Sequence, residues 1–479
     1  MNAPSPDPTV VLPRPAVPVD PQVFGRPIVL KFGGSSVADA DRMRQVADRV
    51  CAVLPTPALV VLSATAGTTD ALLDLARAAA NGDAARAHAL RDAIVARHRT
   101  LDACLQDESN PLLEAALASL DRSVDAALTR ALPPLAQADA LAAHGERLST
   151  ACFTALLRKR GVATTPIDAR ELVTTDDAFG NARPDRAMLA RRAVERLAAP
   201  LTNGEVLVTE GFVGATADGR TTTLGRGGSD YSAALFGAAL GAREVQIWTD
   251  VEGVHSADPR VVPDARPIEL LSFAEAAELA AFGAKVLHPA TIQPAVEANV
   301  PVTVRHTLRP DGRFTTITGR IAEQRAVTAV ASRSPITVLT ITSSRMLAQA
   351  GFLARLFDVF ARHRVSVDVV ATAEVAVSLT VDADVGIEAL ARELAEFAHV
   401  QVVRDRALVA LIGERLRRSR TVAPRVLESL ADVDVELLTF GANDSNLSLI
   451  VPRAVEHHVV RRLHASFFET PALAGRRDR

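Results

Sequence analysis

From Ile28 onward the chain alternates short, β-branched apolar runs with longer segments rich in alanine, leucine and arginine. The apolar runs are PIVLKF (27–32), ALVVLSA (58–64), EVLVTEGFVG (205–214) and EVQIWTD (244–250). Strands that are apolar on both faces and separated by helices are typical of a parallel sheet covered on both sides. The alternation therefore predicts an α/β sandwich, which we assign to residues 27–320.

Polar or glycine-rich stretches lie where these strands are expected to end. In open α/β sheets, ligands bind outside the carboxyl ends of the strands. A ligand site is therefore expected where these stretches meet, at 31–36, 63–69, 210–214, 225–230 and 249–253.

A second pattern begins near Pro335. ITVLTITSS (336–344) is followed by a helix-like segment, two β-prone runs and an amphipathic segment, and the same order recurs from ALVALIGE (407–414). This internal repeat of a β-α-β-β-α unit predicts two small ferredoxin-like modules. We place them at residues 335–404 and 405–470.

Composition narrows the class of protein. The 479 residues are 48% hydrophobic and 23% charged, as in globular proteins with a large core, and a net charge of -3 does not favour binding to nucleic acid or an anionic membrane. Three cysteines without CxxC spacing indicate a reducing cytoplasm rather than a disulfide framework or a zinc site. The proline-rich residues 1–26 predict a disordered tail, and no stretch resembles a membrane span.

The stretch TTTLGRGGSDYSAALFGAAL (221–240) predicts a strand, a glycine turn and a helix that starts near Ser229 or Asp230. Glycines allow close approach to a ligand, and the N-terminus of a helix attracts anions. With Arg226 and Asp230 inside it, the turn is a candidate anion site; a simple strand-to-helix connection is the alternative.

KFGGSSVAD (31–39) places Lys31 directly before Gly33 and Gly34. In a P-loop the lysine follows the glycines, so a Walker fold is not indicated. Lys31 could still reach the β- and γ-phosphates of a nucleotide while the two glycine amides cradle them. The alternative is a surface lysine at a tight turn.

Further stretches carry polar groups. SATAGTTD (63–70) offers hydroxyl donors, although N-capping explains Thr69 or Asp70 alone. In the helical run LAAHGERLST (141–150), Glu146 could hold a substrate ammonium group or be an ordinary exposed glutamate, and His144 is interpreted as structural. Loop residues that together could frame a nucleotide are Asp250, Asp258, Arg260, Lys285 and His288.

No Cys/His or His/His spacing indicates a tightly bound metal, and scattered acids suit Mg²⁺ carried by nucleotide phosphates.

Taken in order, the motifs resemble the amino acid kinase family and, within it, the aspartokinases: KFGGSSVAD, SATAGTTD, HGERLS, FGNARPD, TTTLGRGGSDYSAA, WTDVEGV, DPR and FGAKVLHP. The resemblance runs from about residue 27 to about residue 468. The two modules are similar to paired ACT domains, and the chain most resembles the lysine-sensitive monofunctional type. The resemblance implies ATP-dependent phosphorylation of L-aspartate to 4-phospho-L-aspartate, the first step of lysine, threonine and methionine biosynthesis.

The resemblance also implies roles for individual residues. Lys31 and the glycine amides would stabilise the transferring phosphoryl group, Arg226 the α-carboxylate of aspartate and Glu146 its α-ammonium. Asp230 would hold Lys31 or help position Mg²⁺, and His255 stands where relatives commonly carry tyrosine. Ser63, Thr69 and Ser229 would line the acceptor pocket. The implied nucleotide contacts are Lys31, Phe32, Gly33, Gly34, Thr249, Asp250, His255, Arg260, Lys285 and Val286.

An effector site is implied in the first module, and its apolar members could equally be module core. Asp368 and Glu374 would pair with the ammonium groups of a diamino acid, and L-lysine is the leading effector. Ala371 and Ala373 replace hydroxyl residues of the family, which predicts altered sensitivity. The implied residues are Met346, Gly351, Phe352, Leu353, Ser366, Val367, Asp368, Thr372 and Glu374.

Two other functions remain open at this stage. One is a kinase of the same fold that acts on glutamate, N-acetylglutamate or a nucleotide, and the other is a non-catalytic amino acid sensor. The modules and the pairing of Glu146 with Arg226 favour a free amino acid as acceptor. A homodimer or larger assembly is expected, because strand-edged regulatory modules commonly pair.

Overall fold

The computed structural model describes residues 25–282, 289–319, 321, 325–347, 350–383 and 386–469. Residues 1–24 of the predicted tail lie outside this part of the chain. The fold divides into two compact units, one of Met1–Asp250 with Thr291–Val302 and one of Val251–Ala290 with Thr303–Arg479.

The described strands are β1 (Ile28–Phe32), β2 (Ala58–Leu62), β3 (Thr164–Ile167), β4 (Thr174–Thr175), β5 (Val206–Glu210), β6 (Val213–Thr216), β7 (Thr221–Thr223), β8 (Glu244–Thr249), β9 (Leu270–Ser272), β10 (Val302–His306), β11 (Thr315–Thr318), β12 (Ala329–Thr342), β13 (Val370–Thr372), β14 (Ala376–Asp382), β15 (His399–Ile412), β16 (Leu437–Phe440) and β17 (Asn446–Pro452).

The described α-helices are α1 (Ala40–Val53), α2 (Thr68–Ala80), α3 (Ala84–Leu105), α4 (Pro111–Leu128), α5 (Pro134–Ala142), α6 (His144–Lys159), α7 (Ala169–Leu172), α8 (Arg186–Thr202), α9 (Gly228–Ala239), α10 (Phe273–Ala281), α11 (Pro289–Glu297), α12 (Phe352–Arg362), α13 (Glu388–Ala395), α14 (Val422–Ser429) and α15 (Glu456–His464).

In the first unit the strands β3, β5, β2, β1 and β8 lie side by side in that order, and all of these pairs are parallel. Every residue of β1, β2 and β5 is buried, which explains why these strands read as continuous apolar runs. The core that covers them includes Phe32 and Trp248, whose rings stack with centroids 6.0 Å apart. The predicted α/β sandwich with a parallel sheet is confirmed.

A separate three-stranded sheet, β4-β6-β7, carries the glycine turn. After β5 the chain passes through Gly211 and Phe212, whose φ is 67°, into β6 of this sheet. β6 then pairs with β7 in antiparallel fashion. The prediction that the 225–230 turn follows a strand of the parallel sheet is therefore wrong, because β7 pairs with β6 in this separate sheet and not with a strand of the parallel sheet.

In the second unit one antiparallel sheet has the order β13-β14-β12-β15-β17-β16. Its two long strands each serve both modules: residues 329–333 of β12 pair with residues 408–412 of β15, and residues 336–342 pair with residues 399–406. Two apolar cores lie against this sheet, one beneath α12 and α13 and the other beneath α14 and α15. Two antiparallel α+β modules are thus confirmed, whereas the boundaries given above for the three domains stay predictions.

Candidate active site

A cavity of about 660 Å³ lies within the first unit. The end of β1, the 63–70 loop, α5, the start of α6 and the turn after β7 supply its walls. Predicted site residues that line it are Lys31, Gly34, Ser63, Thr69, Glu146, Arg226, Ser229 and Asp230. Residues from four of the five predicted stretches meet at this cavity, whereas 249–253 does not line it and 225–230 follows β7 of the separate sheet.

Lys31 is the fourth residue of β1 and is only 8% exposed. Its Nζ lies 2.7 Å from Oδ1 of Asp230, in the first turn of α9. The attraction of the Asp230 carboxylate offsets part of the free-energy cost of keeping a cation at the cavity wall, since a buried ammonium without a counter-charge is costly. The ion pair between Lys31 and Asp230 that the sequence suggested is present in the structure.

The glycines after Lys31 allow β1 to approach the 63–70 loop. A Cβ added to Gly34 would lie 2.8 Å from the carbonyl oxygen of Ala64, so no larger residue fits there without movement. The Gly33 amide donates to the carbonyl of Trp248 at 3.4 Å. The phosphate contact predicted for the Gly33 amide would require that long hydrogen bond to break.

The 63–70 loop is supported from beneath by a histidine that sequence reasoning missed. His98 on α3 is fully buried, and its Nδ1 donates to the carbonyl of Ile94 at 2.8 Å. Nε2 therefore accepts from the Thr65 hydroxyl at 3.4 Å, and Thr65 lies 2.6 Å from the Thr68 hydroxyl. Burial lowers the pKa of His98, so the neutral ring holds this chain of hydroxyls.

Glu146 lies in the first turn of α6 and is 3% exposed. Burial raises the pKa of its carboxyl to about 8; main-chain amides of Ala64 and of Glu146 itself oppose that shift, the Glu210 carboxylate adds to it and Lys31 opposes it. Its Oε2 has no hydrogen-bond partner among the described residues. A buried carboxyl with a free oxygen at a cavity wall is a candidate site for a ligand cation. The alternative of an exposed helical glutamate is wrong.

His144, two residues earlier, is buried, and its Nε2 lies 2.9 Å from the Ser123 hydroxyl. Burial lowers its pKa to about 3, so the ring is neutral and its structural interpretation fits these contacts.

A partly buried charge network around Glu210 was not predicted. Glu210, at the end of β5, accepts the amide hydrogen of Ala169 at 2.8 Å and lies 3.9 Å from the Arg147 guanidinium. Arg147 also donates to Asp168 at 3.0 Å, and Asp168 pairs with Arg170 at 2.6 Å. Burial raises the pKa of Glu210, and Asp168 adds to the rise. These contacts hold the side chain of Arg147, the residue that follows Glu146 in the chain.

Arg226 lies between Gly225 and Gly227, whose φ values are 77° and 74°. Both angles fall in the left-handed region that glycine adopts at no steric cost. The Arg226 side chain is exposed and makes no ion pair within the described part of the chain. The turn therefore presents a guanidinium at the cavity that is free to bind an anion.

Not all predicted nucleotide contacts are supported equally. In the first unit the Phe32 ring is fully buried against Trp248, so this side chain is core rather than a ligand contact. Thr249 and Asp250 follow β8, with the Thr249 hydroxyl 3.2 Å from the Asp250 carboxylate. In the second unit, Arg260 pairs with Asp258 at 2.6 Å and is exposed. Burial lowers the pKa of the His255 ring.

Lys285, Val286 and His288 lie outside the described residues.

The predicted effector residues divide into two groups. Phe352 is buried and packs edge-on against Phe397 at 5.8 Å, and Met346 and Val367 pack against the same core, so these apolar members are module core. Asp368 is exposed and forms an ion pair with Arg333. The other exposed members are Gly351, Leu353, Ser366, Thr372 and Glu374.

Within the described residues, no group of three or more His, Cys, Asp or Glu side chains could hold a metal ion.

None of the helices in the described ranges combines the length and apolar character needed to cross a membrane.

Comparison with known proteins assigns this chain to a family. The sequence profile of the amino acid kinase family matches residues 26–306. The lysine-sensitive aspartokinase 3 of Escherichia coli (strain K12) is 41% identical over 454 residues, covering 92% of this chain and 99% of that protein.

Solved structures agree. The crystal structure of Escherichia coli aspartokinase III in complex with aspartate and ADP, in the R-state, has a TM-score of 0.77 and 40% identity and covers 92% of this chain and all of its own. The complex of that enzyme with lysine and aspartate, in the T-state, gives the same values. The chain therefore belongs to the amino acid kinase family and, within it, to the aspartokinases. The predicted family and enzyme class are confirmed.

Proposed function

We propose that this enzyme transfers the γ-phosphoryl group of ATP to the side-chain carboxylate of L-aspartate, giving 4-phospho-L-aspartate and ADP. The observation that carries the proposal is one cavity lined by the Lys31–Asp230 pair, the free oxygen of Glu146 and the unpaired guanidinium of Arg226. The related Escherichia coli enzyme, solved with aspartate and ADP, supports the same pair of ligands.

Two side chains of opposite charge suit the two ends of an amino acid. Arg226 offers a planar fork of donors that matches the α-carboxylate, a geometry that lysine does not provide. Glu146 offers its free oxygen to the α-ammonium, and its proton leaves as the ligand cation arrives. Ser63, Thr69 and Ser229 line the same cavity and complete the acceptor pocket.

The chemistry needs charge compensation rather than a general base. The acceptor carboxylate is already ionised, so one of its oxygens attacks the γ-phosphorus while the bond to the β–γ bridging oxygen breaks and ADP leaves. Two anions must approach each other, and a fixed cation lowers that barrier by several kcal/mol when it is held in place before the reaction. Lys31 is that cation, and Asp230 holds it.

Magnesium belongs to the proposal as a companion of ATP. Mg²⁺ prefers oxygen ligands and keeps several waters, so phosphate oxygens of the nucleotide would supply most of its other contacts in the site. Asp230 is the carboxylate at the cavity that would help hold it, and the ion would neutralise phosphate charge. Within the first unit the nucleotide is assigned to Lys31, Gly34, Thr249 and Asp250, and the remaining nucleotide residues stay predictions from the sequence.

We further propose that L-lysine inhibits the enzyme through the regulatory modules. The lysine-bound T-state of the Escherichia coli relative supports this assignment. Within the second unit, Glu278 on α10 accepts hydrogen bonds from Asn443 and Asn446 of the second module, each at 2.6 Å. α10 ends at Ala281, shortly before Lys285 in the chain, so a regulatory module directly contacts the helix that leads to a predicted nucleotide residue.

The test is to incubate the protein with ATP, Mg²⁺ and L-aspartate and to trap the acyl phosphate with hydroxylamine. We expect an aspartyl hydroxamate, strongly reduced in Lys31→Ala. Lys159→Ala is a matched control, because Lys159 pairs with Asp107 away from the cavity. Hydroxamate formed from another acid but not from aspartate would contradict the substrate assignment.

The role of Arg226 has its own test. Arg226→Ala is expected to raise the KM for aspartate about 100-fold, because a charge-assisted bidentate contact is lost, and to change the KM for ATP little. A larger effect on ATP would show that the turn binds the nucleotide instead.

A further inference from the structure

Asp139 is an acid that no motif singled out and that lines the cavity from α5. It is 4% exposed, and three donors satisfy its carboxylate. Oδ2 accepts the amide hydrogens of Thr223 at 2.8 Å and Gly180 at 2.9 Å, and Oδ1 accepts the Thr223 hydroxyl at 2.8 Å. One buried carboxylate thus joins two segments that are distant in sequence.

Thr223 is the last residue of β7 and stands three positions before Arg226. Its amide and hydroxyl are held by Asp139, and its carbonyl accepts the amide hydrogen of Ala182 at 2.9 Å. The amide, hydroxyl and carbonyl of Thr223 are therefore all held by residues outside its own sheet. This happens at the point where the chain leaves β7.

The second segment belongs to the motif FGNARPD (179–185), to which the proposed chemistry assigns no role. A Cβ on Gly225 would lie 2.7 Å from the Asn181 side-chain oxygen and 3.2 Å from the Gly180 carbonyl oxygen. The 180–182 turn therefore packs directly against the glycine next to Arg226, and the Gly180 amide bond to Asp139 keeps that turn in place.

Building on the proposed function, in which Arg226 binds the α-carboxylate of aspartate, we propose that Asp139 is a positioning residue. It holds the start of the glycine turn and the 180–182 turn that packs on it, so that the Arg226 guanidinium is placed for the acceptor before aspartate binds. Because Gly225 and Gly227 have wide conformational freedom, the turn depends on such external bonds for a fixed geometry.

The bonding pattern makes distinct predictions for two variants. Asp139→Ala removes all three hydrogen bonds and is expected to raise the KM for aspartate about tenfold, with the KM for ATP changed less than about twofold. Asp139→Asn retains an oxygen for the two amides, and the Thr223 hydroxyl can accept from the new NH₂ group. This variant is expected to stay within about threefold of the wild type.

Asp102→Ala is the matched control. Asp102 is also buried, on α3, and accepts from Asn110 at 2.8 Å, but it does not line the cavity. It reports what the loss of a buried, bonded aspartate does by itself. Equal changes in both KM values for Asp139→Ala, or an Asp139→Asn variant as damaged as the alanine variant, would overturn the proposal.

Two further measurements separate this inference from the proposed function. Asp139→Ala is expected to add no further increase in the aspartate KM to Arg226→Ala, and additive effects would show that Asp139 does not act through Arg226. Amide hydrogen exchange in a peptide covering 221–228 is expected to speed up in Asp139→Ala and not in Asp102→Ala. The exchange measurement tests the role of Asp139 and does not depend on activity. Absence of aspartyl hydroxamate in the wild type would refute only the proposed substrate.

Discussion

Lys31 and Asp230 show how single residues set the electrostatics of this cavity. A pair with side-chain exposures of 10% and 20% loses much of its hydration, so removal of one partner leaves the other partly buried and uncompensated. Loss of Asp230 should lower kcat rather than raise the KM for aspartate, because Asp230 acts on the cation that faces the transferred group.

Asp230→Asn is therefore expected to lower kcat about 100-fold while the KM for aspartate changes little. Steady-state kinetics with both substrates check this expectation. Asp218→Asn is the control, since Asp218 pairs with Arg220 at 2.8 Å on an exposed turn away from the cavity. A kcat within twofold of the wild type would mean that Lys31 needs no fixed partner.

Glu146 predicts a pH dependence. Its carboxyl stays protonated up to about pH 8 in the free enzyme, because burial and the Glu210 carboxylate outweigh the main-chain amides and Lys31. The aspartate ammonium binds only the ionised form, so aspartate affinity should rise about tenfold between pH 6 and pH 7 and level off above pH 8.

Calorimetric titration of aspartate at several pH values measures that rise. In Glu146→Gln the pH-dependent rise should vanish and the affinity should be lower throughout, because the amide does not titrate. Aspartate titrates identically in both experiments, so the difference isolates residue 146. Parallel pH profiles for the two proteins would show that Glu146 is already ionised.

At the scale of elements, the site depends on how closely α9 packs on the parallel sheet. A Cβ on Gly237 would lie 2.3 Å from the Val245 side chain on β8. Gly237→Ala should therefore destabilise the enzyme by about 1–3 kcal/mol. In an open helix the same change would stabilise it by about 1 kcal/mol, so even the sign of the effect tests the contact.

Scanning calorimetry checks this expectation through the Tm. The informative control is the double variant with Val245→Ala, which opens space for the new methyl group. Against a Val245→Ala background, Gly237→Ala should no longer lower the Tm. If Gly237→Ala lowers the Tm by the same amount in the Val245→Ala background, the strain does not arise from the contact with Val245.

At the scale of the whole molecule, regulation is the property to test. Saturating L-lysine is expected to inhibit hydroxamate formation, and Asp368→Asn should raise the required lysine concentration about tenfold, because a charge-assisted contact is lost. Asp382→Asn is the matched control: Asp382 also lies near Arg333, at 3.7 Å, but is not a predicted effector residue.

Unchanged activity at saturating lysine would refute lysine as the effector, and Ala371 and Ala373 would be the first residues to examine. Assembly as a homodimer and a location in the cytoplasm stay predictions from the sequence.

Local patterns predicted much of the fold and part of the site. The alternation of apolar runs and helical segments correctly indicated the parallel sheet, and the repeat after Pro335 correctly indicated two modules. The same reasoning placed β7 in the wrong sheet, because a three-residue strand has the same local pattern in either sheet. It also missed His98 and Asp139, since a single histidine or aspartate in a helix carries no periodic signal.

By itself, the sequence determined the order of strands, turns and helices and the glycine turns that bring Lys31 and Arg226 to one cleft. These depend on residue type and spacing, which act locally. Only the tertiary structure decided that Glu146 is buried with a free oxygen and that Asp139 joins Thr223 to Gly180. Those properties depend on desolvation and on contacts between residues far apart in the chain, which local spacing does not encode.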